Sequence, residues 1–404
     1  MKKSFFHLGS TPRLSAEEII RAFPGADYSF HSFEHFLLID ADPQAVKDVF
    51  PEFGGSMRAG EVIAESKDFS EIEWALLEEI KANATEGKKM RIGINIFPDQ
   101  KYHTVFPPLF KLLKNASKEE GISLRIVNRK GQNLDTSTAE KEGLFSDGHA
   151  EFSLFVLRSG TVLTRTLAVQ NIESFAKRDF GKPVRDMGVG MLPPKLARMM
   201  VNLGRDEQGN LPTKIWDSFC GTGSVLLEAL DMGIAEVMGS DLSEKMVDAS
   251  RENIAYFSPP QMGGQKKRTF QHDATRSLLQ KNANFQKSAY SFSPSSDLLL
   301  SNFTVVSEGF LGRIFTHAIS DEEFFQQKDL LLPFYEKFLS ARKKDGIQTI
   351  VLAIPFWKGK EKEYSFSQKL LEMANKIGYD ASAALLYRRP QQFVGREILV
   401  FHGL

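Results

Sequence analysis

The run "KIWDSFCGTGSVLLEALDMG", residues 214–233, constrains this chain more than any other stretch. Four residues of strand character end on an acid, Asp217. A short turn with Gly221 and Gly223 follows, then an apolar helical run stopped by Gly233. The next apolar stretch, "EVMGSD", ends on Asp241 and leads into a second helical run, "SEKMVDASRENIAYF". Strand and helix alternating at this spacing predict a parallel sheet with helices on both faces, an α/β fold. In such a sheet, a glycine turn between the first strand and first helix lies at the carboxyl edge, where ligands bind.

The turn itself narrows the ligand. Gly221 and Gly223 carry no Cβ, so a ligand can come close to the backbone. A dinucleotide site wants a third glycine, and a P-loop wants a lysine after the second; neither is present. An acid beside the glycines instead suits a cationic or zwitterionic ligand. S-adenosylmethionine fits, because Asp217 would favour its amino group. Asp241 lies about twenty residues beyond Gly221, where a carboxylate can take both ribose hydroxyls; Leu242 follows it. "FQHDAT" supplies Asp273, with Ala274 beside it, at the end of an expected third strand and suited to an adenine amine. Phe219 and Cys220 complete the turn. Cys220 reads as a small packing residue, since no base partner can be named for it.

With 404 residues the chain exceeds one ordinary core, so two or three domains are expected. Basic and acidic residues balance at 51 each, so any nucleic-acid surface must be a local patch. One cysteine leaves no intrachain disulfide framework or cysteine-rich zinc site and suits a reducing cytoplasm. "MKKSFFHLGSTPRLS" has no apolar stretch long enough for a signal peptide, and "TIVLAIPFW" is far short of a membrane span. A cytoplasmic location is expected.

Residues 1–65 alternate short strands ("SFFHLG", "HFLLID") with helices, one from Pro43 to Phe50 and one opened by a Ser15/Glu18 capping box. Residues 66–175 repeat that grammar: a helix in "SEIEWALLEEIKANA", a strand in "MRIGINIF", a helix beyond Pro108, and a hairpin turning at Ser159-Gly160. Basic residues recur here, among them Lys88, Arg125 and Arg129. They form either a solvated face or a phosphate-binding stripe. The stretch 288–297 is the most loop-like.

"WDSFCGTGSVLLEAL" resembles motif I of the amino-group methyltransferases that act on nucleic acids. Upstream, "RDFGKPVRDMGVGMLPPKLARMMVNLG" (178–204) is similar to the block before that motif in the THUMP-domain tRNA guanine-N2-methyltransferases. These are the archaeal and eukaryotic enzymes for the guanine at tRNA position 10. "FFHLGSTPRLSAEEI", "FGGSMRAGEV" and "RTLAVQNIESFAKRD" resemble that family's opening domain and its junction. The resemblance implies a ferredoxin-like domain over 1–65, a THUMP RNA-binding domain over 66–175, and a Rossmann-like class I methyltransferase domain over 176–404. It implies S-adenosyl-L-methionine as cofactor and tRNA as partner, and leaves open whether a small activating subunit is needed, as in the eukaryotic relatives. It also implies that the 190–194 entrance, with Leu192 and Pro193, lines the cofactor pocket. Arg178 and Arg185 are candidate phosphate contacts beside Lys88, Arg125 and Arg129, with a bracing role as the alternative for Arg178 and Arg185.

Methyl transfer to an exocyclic amine usually uses Asp/Asn/Ser-Pro-Pro-Tyr/Phe after the fourth strand, an acceptor for the amine followed by an aromatic that stacks on the extruded base. That motif is missing here. The expected replacement is "VVSEGFLG", with Ser307 in the first position, Glu308 supplying a carboxylate and Phe310 as the aromatic. The competing register in "DLLLSNFTV" would start on Asn302. The departure leaves two alternatives to a tRNA guanine-N2-methyltransferase: a non-catalytic tRNA-binding protein, or an amino-methyltransferase acting on another RNA or DNA.

Overall fold

The computed structural model describes residues 3–128, 132–185, 191–257, 264–279, 299–382, 384–389 and 391–404. The loop-like stretch 288–297 lies outside them. The chain divides into two compact units. The first comprises residues 1–12, 25–51 and 55–171, the second residues 13–24, 52–54 and 172–404.

The first unit is built on one eight-stranded sheet. Strand β1 (Ser4–Leu8) lies between β3 (Phe36–Ile39) and β4 (Ser56–Ser66), antiparallel to both. β4 pairs on its other side with β8 (Gly160–Val169), the returning arm of a hairpin with β7 (Ala150–Leu157). The sheet ends in parallel strands β5 (Met90–Phe97) and β6 (Leu124–Ile126), while β2 (Tyr28–His31) closes the opposite edge beside β3. The division expected at 65/66 therefore falls inside β4, and both expected N-terminal domains share this sheet. Helix α4 (Tyr102–Glu119) starts ahead of Pro107-Pro108 rather than beyond them. Burying Tyr102, Phe106, Leu109 and Leu113 along one face, against sheet residues such as Ile92 and Phe152, outweighs the ladder bonds the prolines cannot make.

Helix α1 (Pro12–Ala22) also departs from expectation. It begins at Pro12, where a missing N–H costs nothing, so Ser15 and Glu18 lie in its interior and form no capping box. Residues 13–24 cluster with the second unit, and Glu18 is fully buried there. Its carboxylate accepts from the Gly54 N–H at 3.1 Å and the Asn202 Nδ2 at 2.9 Å.

The second unit has a central parallel sheet, in the order β11-β10-β9-β12-β13, extended by antiparallel β17 and then β15. The strands are β9 (Lys214–Asp217), β10 (Glu236–Asp241), β11 (Lys266–Gln271), β12 (Thr304–Glu308), β13 (Thr349–Lys358), β15 (Tyr379–Ala381) and β17 (Val394–Gly403). β14 (Glu363–Tyr364) pairs with β13, and β16 (Leu385–Tyr387) with β17. Because strand side chains alternate, each central strand feeds two cores. Ile215, Val306, Val351 and Ala353 join α1, α7 (Pro194–Leu203) and α8 (Ser224–Asp231) on one face. Trp216, Val305, Ile350 and Leu352 meet α10 (Asp321–Lys344) and α11 (Ser367–Ile377) on the other. Helix α9 (Glu244–Phe257) packs along β10 and β11. The strand order reverses between β9 and β12, which opens a crevice at their carboxyl ends.

Candidate functional site

Four carboxylates meet the carboxyl edge of this sheet. Asp217 ends β9, Asp241 ends β10, Glu308 ends β12, and Asp273 follows β11. The backbone from β9 to α8 turns through Gly221 (φ +48°) and Gly223 (φ +85°), both in the left-handed region that glycine tolerates best. A Cβ on Gly223 would lie 2.8 Å from the Ser250 Oγ on α9, so that hydroxyl would have to turn aside. A Cβ on Gly221 would meet nothing within 4 Å, so this glycine faces open space.

The turn is held from three sides. The Asp241 carboxylate accepts the Gly221 N–H at 3.0 Å through one oxygen and the Ser243 N–H at 2.9 Å through the other. Asn253 on α9 donates to the Thr222 carbonyl at 2.9 Å and also bonds both backbone groups of Val184. The Met191 sulfur lies 3.8 Å from the Thr222 hydroxyl, which puts the 191–193 segment against the turn. Leu192 is buried beside α7, and Pro193 precedes that helix; Gly190 lies outside the described residues.

Asp217 is buried and accepts the Phe219 N–H at 3.2 Å. No ion pair reaches it among the described residues. Burial, with Asp241 and Glu308 nearby, pushes its carboxyl up to about 7 against the pull of its hydrogen bonds. Asp273 is less enclosed. Burial works against its charge, but bonds from the Thr275 hydroxyl (2.7 Å) and N–H (3.0 Å), with Arg276 close by, hold it below the usual range. Phe219 packs on Phe334 and Phe338, Ala274 is buried, and Leu242 is exposed beyond Asp241. Burial raises the Cys220 thiol well above its ordinary value, which suits a packing residue and not a nucleophile.

The segment after β12 corrects the expected register. Ser307 lies inside the strand and is fully buried; its hydroxyl accepts the Ser218 N–H at 2.8 Å and hydrogen-bonds Asp217. It braces the turn from below and has no face to offer an amine. The alternative start at Asn302 fails too, because Phe303 and Val305 are core residues. Glu308 is the last strand residue, so the turn begins on it. Its Oε1 accepts from the Arg396 Nε at 2.7 Å. Burial raises its carboxyl, and Arg396 opposes the rise. Phe310 is half exposed, its ring edge-on to Phe334.

Arg396 also lines a cavity of about 420 Å³, with Met191, Pro193, Leu311, Phe315, Tyr387 and Phe393 among its walls. Among the described residues, Phe310 is not a wall; the aromatic side chains that line the cavity are Phe315, Tyr387 and Phe393. Sequence reasoning missed Arg396. Its one signal is an arginine within the apolar run "VGREILV" of a strand. Lys182 was missed as well. It is buried, donates to the Ser224 Oγ at 2.7 Å where α8 starts, and is lowered to about 8 by burial.

The candidate phosphate contacts divide. Arg178 is buried, pairs through its Nε with Glu228 at 2.6 Å and stacks on Phe175, so it braces α6 (Ile172–Phe180) against α8 and cannot serve RNA. Arg185 is exposed over the Phe180 ring. Lys88 is exposed on the first unit; Arg125 is exposed too, with Glu142 3.3 Å away. Arg129 lies outside the described residues.

TrmN from Thermus thermophilus superposes over the whole of both chains with a TM-score of 0.51 and 15% identity. SMU.472, solved with SAH bound, does so over 100% of this chain and 98% of its own, with a TM-score of 0.50 and 10% identity. The fold is that of the Rossmann-like methyltransferases. In sequence, the chain is 43% identical over 101 residues to a tRNA (guanine(10)-N2)-dimethyltransferase of Methanothermobacter thermautotrophicus. That match takes in 24% of this chain and spans about a quarter (27%) of the relative's length. No family model matches the chain. No helix among the described residues is long and apolar enough to cross a membrane.

Proposed function

We propose that the chain is an S-adenosylmethionine-dependent tRNA methyltransferase acting on the exocyclic 2-amino group of a guanosine. The observation that carries this reading is the placement of Asp217, Asp241, Asp273 and Glu308 at the carboxyl edge of one sheet, with a base-sized cavity walled by Arg396, the partner of Glu308. The likeness to a protein named for guanine-10 N2-dimethylation supports the choice of substrate and of position 10.

The residues present fit the cofactor. Gly221 leaves space at the turn, and Asp217 is a buried carboxylate with no cation beside it among the described residues, suited to a ligand ammonium. Each Asp241 oxygen accepts one backbone N–H and keeps capacity for a ribose hydroxyl. Leu192, Pro193, Phe219 and Ala274 supply apolar walls, and Asp273 an acceptor for the adenine amine. When bound, the cofactor supplies an electrophilic methyl group on a positively charged sulfur.

The rest of the chemistry belongs to the chain. Glu308 accepts an N–H of the guanine amine, turns the nitrogen lone pair toward the crevice and takes up the proton that the amine loses. The cavity, within the roughly 300–1,000 Å³ of small-molecule sites, holds the extruded base against Leu311 and the aromatic walls. Lys88 and Arg125 on the first unit, and Arg185 on the second, contact phosphates in the manner of a THUMP-assisted enzyme. The reading puts the protein in the cytoplasm, which suits a chain with one cysteine.

Incubation of the full chain with undermodified tRNA and labelled cofactor, followed by nucleoside analysis, tests this. N2-methylated guanosine is expected. Its absence across a broad set of tRNAs, with protein that binds the cofactor, would sink the reading.

A further inference from the structure

The surroundings of Glu308 raise a problem that one residue answers. Near its carboxylate are a second acid and a phenol: Asp217 from β9, and Tyr335 from α10, fully buried. β13 contributes Ala353 at the paired position and no charge. Two buried carboxylates this close compete for one proton, and if Glu308 held it, the acid would donate where an amine needs an acceptor. The counter-charge comes from β17. There Arg396 pairs in register with Pro355 on one side and Tyr387 on the other, 7% exposed. Its neighbour Glu397 is engaged separately, by the hydroxyls of Ser365 and Ser367.

The contact has a useful asymmetry. The Arg396 Nε occupies Glu308 Oε1, and among the described residues nothing bonds Oε2. Arg396 itself is a cavity wall, and the Glu308 side chain keeps 15% exposure. We infer that Arg396 is a positioning residue, which keeps Glu308 ionised and fixes its carboxylate so that the free oxygen meets the substrate amine. The inference rests on the proposed methyl transfer to guanosine. Burial raises the Glu308 carboxyl, and Arg396 opposes that rise. Activity needs the ionised form, so it falls as pH drops through the titration of Glu308. Removing the cation moves that fall to higher pH.

The test uses full-length wild type, Arg396→Met and Arg396→Lys in single-turnover methylation of undermodified tRNA from about pH 6 to 9, with SAH affinity measured by calorimetry as a check on folding. Arg396→Met is expected to lose about tenfold or more in rate near neutrality, with its acid limb shifted upward by about one pH unit, while SAH affinity holds. Arg396→Lys is expected to recover part of the rate and most of the shift. A wild-type profile in Arg396→Met overturns the inference. So does equal loss in both variants at every pH, which marks a purely structural contact. Wild type that binds SAH but never methylates tRNA defeats the functional reading itself, a result distinct from either.

Discussion

Two strand ends, side by side in one parallel sheet, make the central contrast of this molecule. Asp217 closes β9 and Glu308 closes β12, each burying a carboxylate at the same crevice. Asp217 has hydrogen bonds but no cation among the described residues, and its carboxyl sits near 7. Glu308 has Arg396 at 2.7 Å. A buried acid without a partner is costly as an anion, so it rewards a ligand that brings the positive charge. One with its own partner is already compensated, and its second oxygen is free for a neutral donor. The first suits an ammonium group and the second an amine.

The contrast breaks most visibly at Glu308. Glu308→Gln keeps the shape and a partner for Arg396 but removes the charge that, on the proposed reading, receives the amine proton. A loss of about 10²–10³ in single-turnover rate is expected, with SAH affinity nearly unchanged. Equal activity in this variant would assign the acceptor elsewhere. Asp217→Asn should do the reverse: cofactor affinity about 10- to 100-fold weaker by calorimetry, and a smaller effect on rate at saturating cofactor. On the proposed reading, the ammonium binds the ionised acid in wild type. Affinity for the cofactor should therefore rise with pH up to about 7 and level off above it, losing up to about tenfold per unit below. Asp217→Asn should flatten that slope. A wild-type affinity independent of pH between 5 and 8 would show that Asp217 does not hold the cation.

The same pair shows what a sequence discloses. Asp217, the glycines and Asp241 are legible because local chemistry fixes them: a strand end, a turn that needs left-handed residues, and a spacing set by one βαβ unit. The segment after β12 is not, because its register depends on which residue the sheet buries. Ser307 looks like the acceptor in a string of letters, yet strand alternation turns it inward beneath Asp217. Arg396 is some ninety residues away and becomes its neighbour's partner only through the order β12-β13-β17. Arg178 fails as a phosphate contact for a related reason: Glu228, fifty residues on, takes it. The helical pattern of α1 is legible, but its membership in the second unit is not. Glu18 finds Asn202 only in the folded chain.

The two glycines of the turn sharpen the contrast on its smallest scale. Both have positive φ, so alanine at either costs about 1–2 kcal/mol of backbone strain. Only Gly223 also has a neighbour in the way, the Ser250 Oγ at 2.8 Å from a built Cβ. Gly223→Ala should therefore cost more stability, seen as a lower midpoint in thermal unfolding without cofactor. Gly221→Ala should cost only the strain in the free protein, because its Cβ points into open space. If that space is where the ligand lies, the added methyl group meets the cofactor instead, and Gly221→Ala loses the stabilisation that SAH gives the wild type. A Gly221→Ala protein still stabilised by SAH as fully as wild type would mean that the ligand does not approach the turn at this residue.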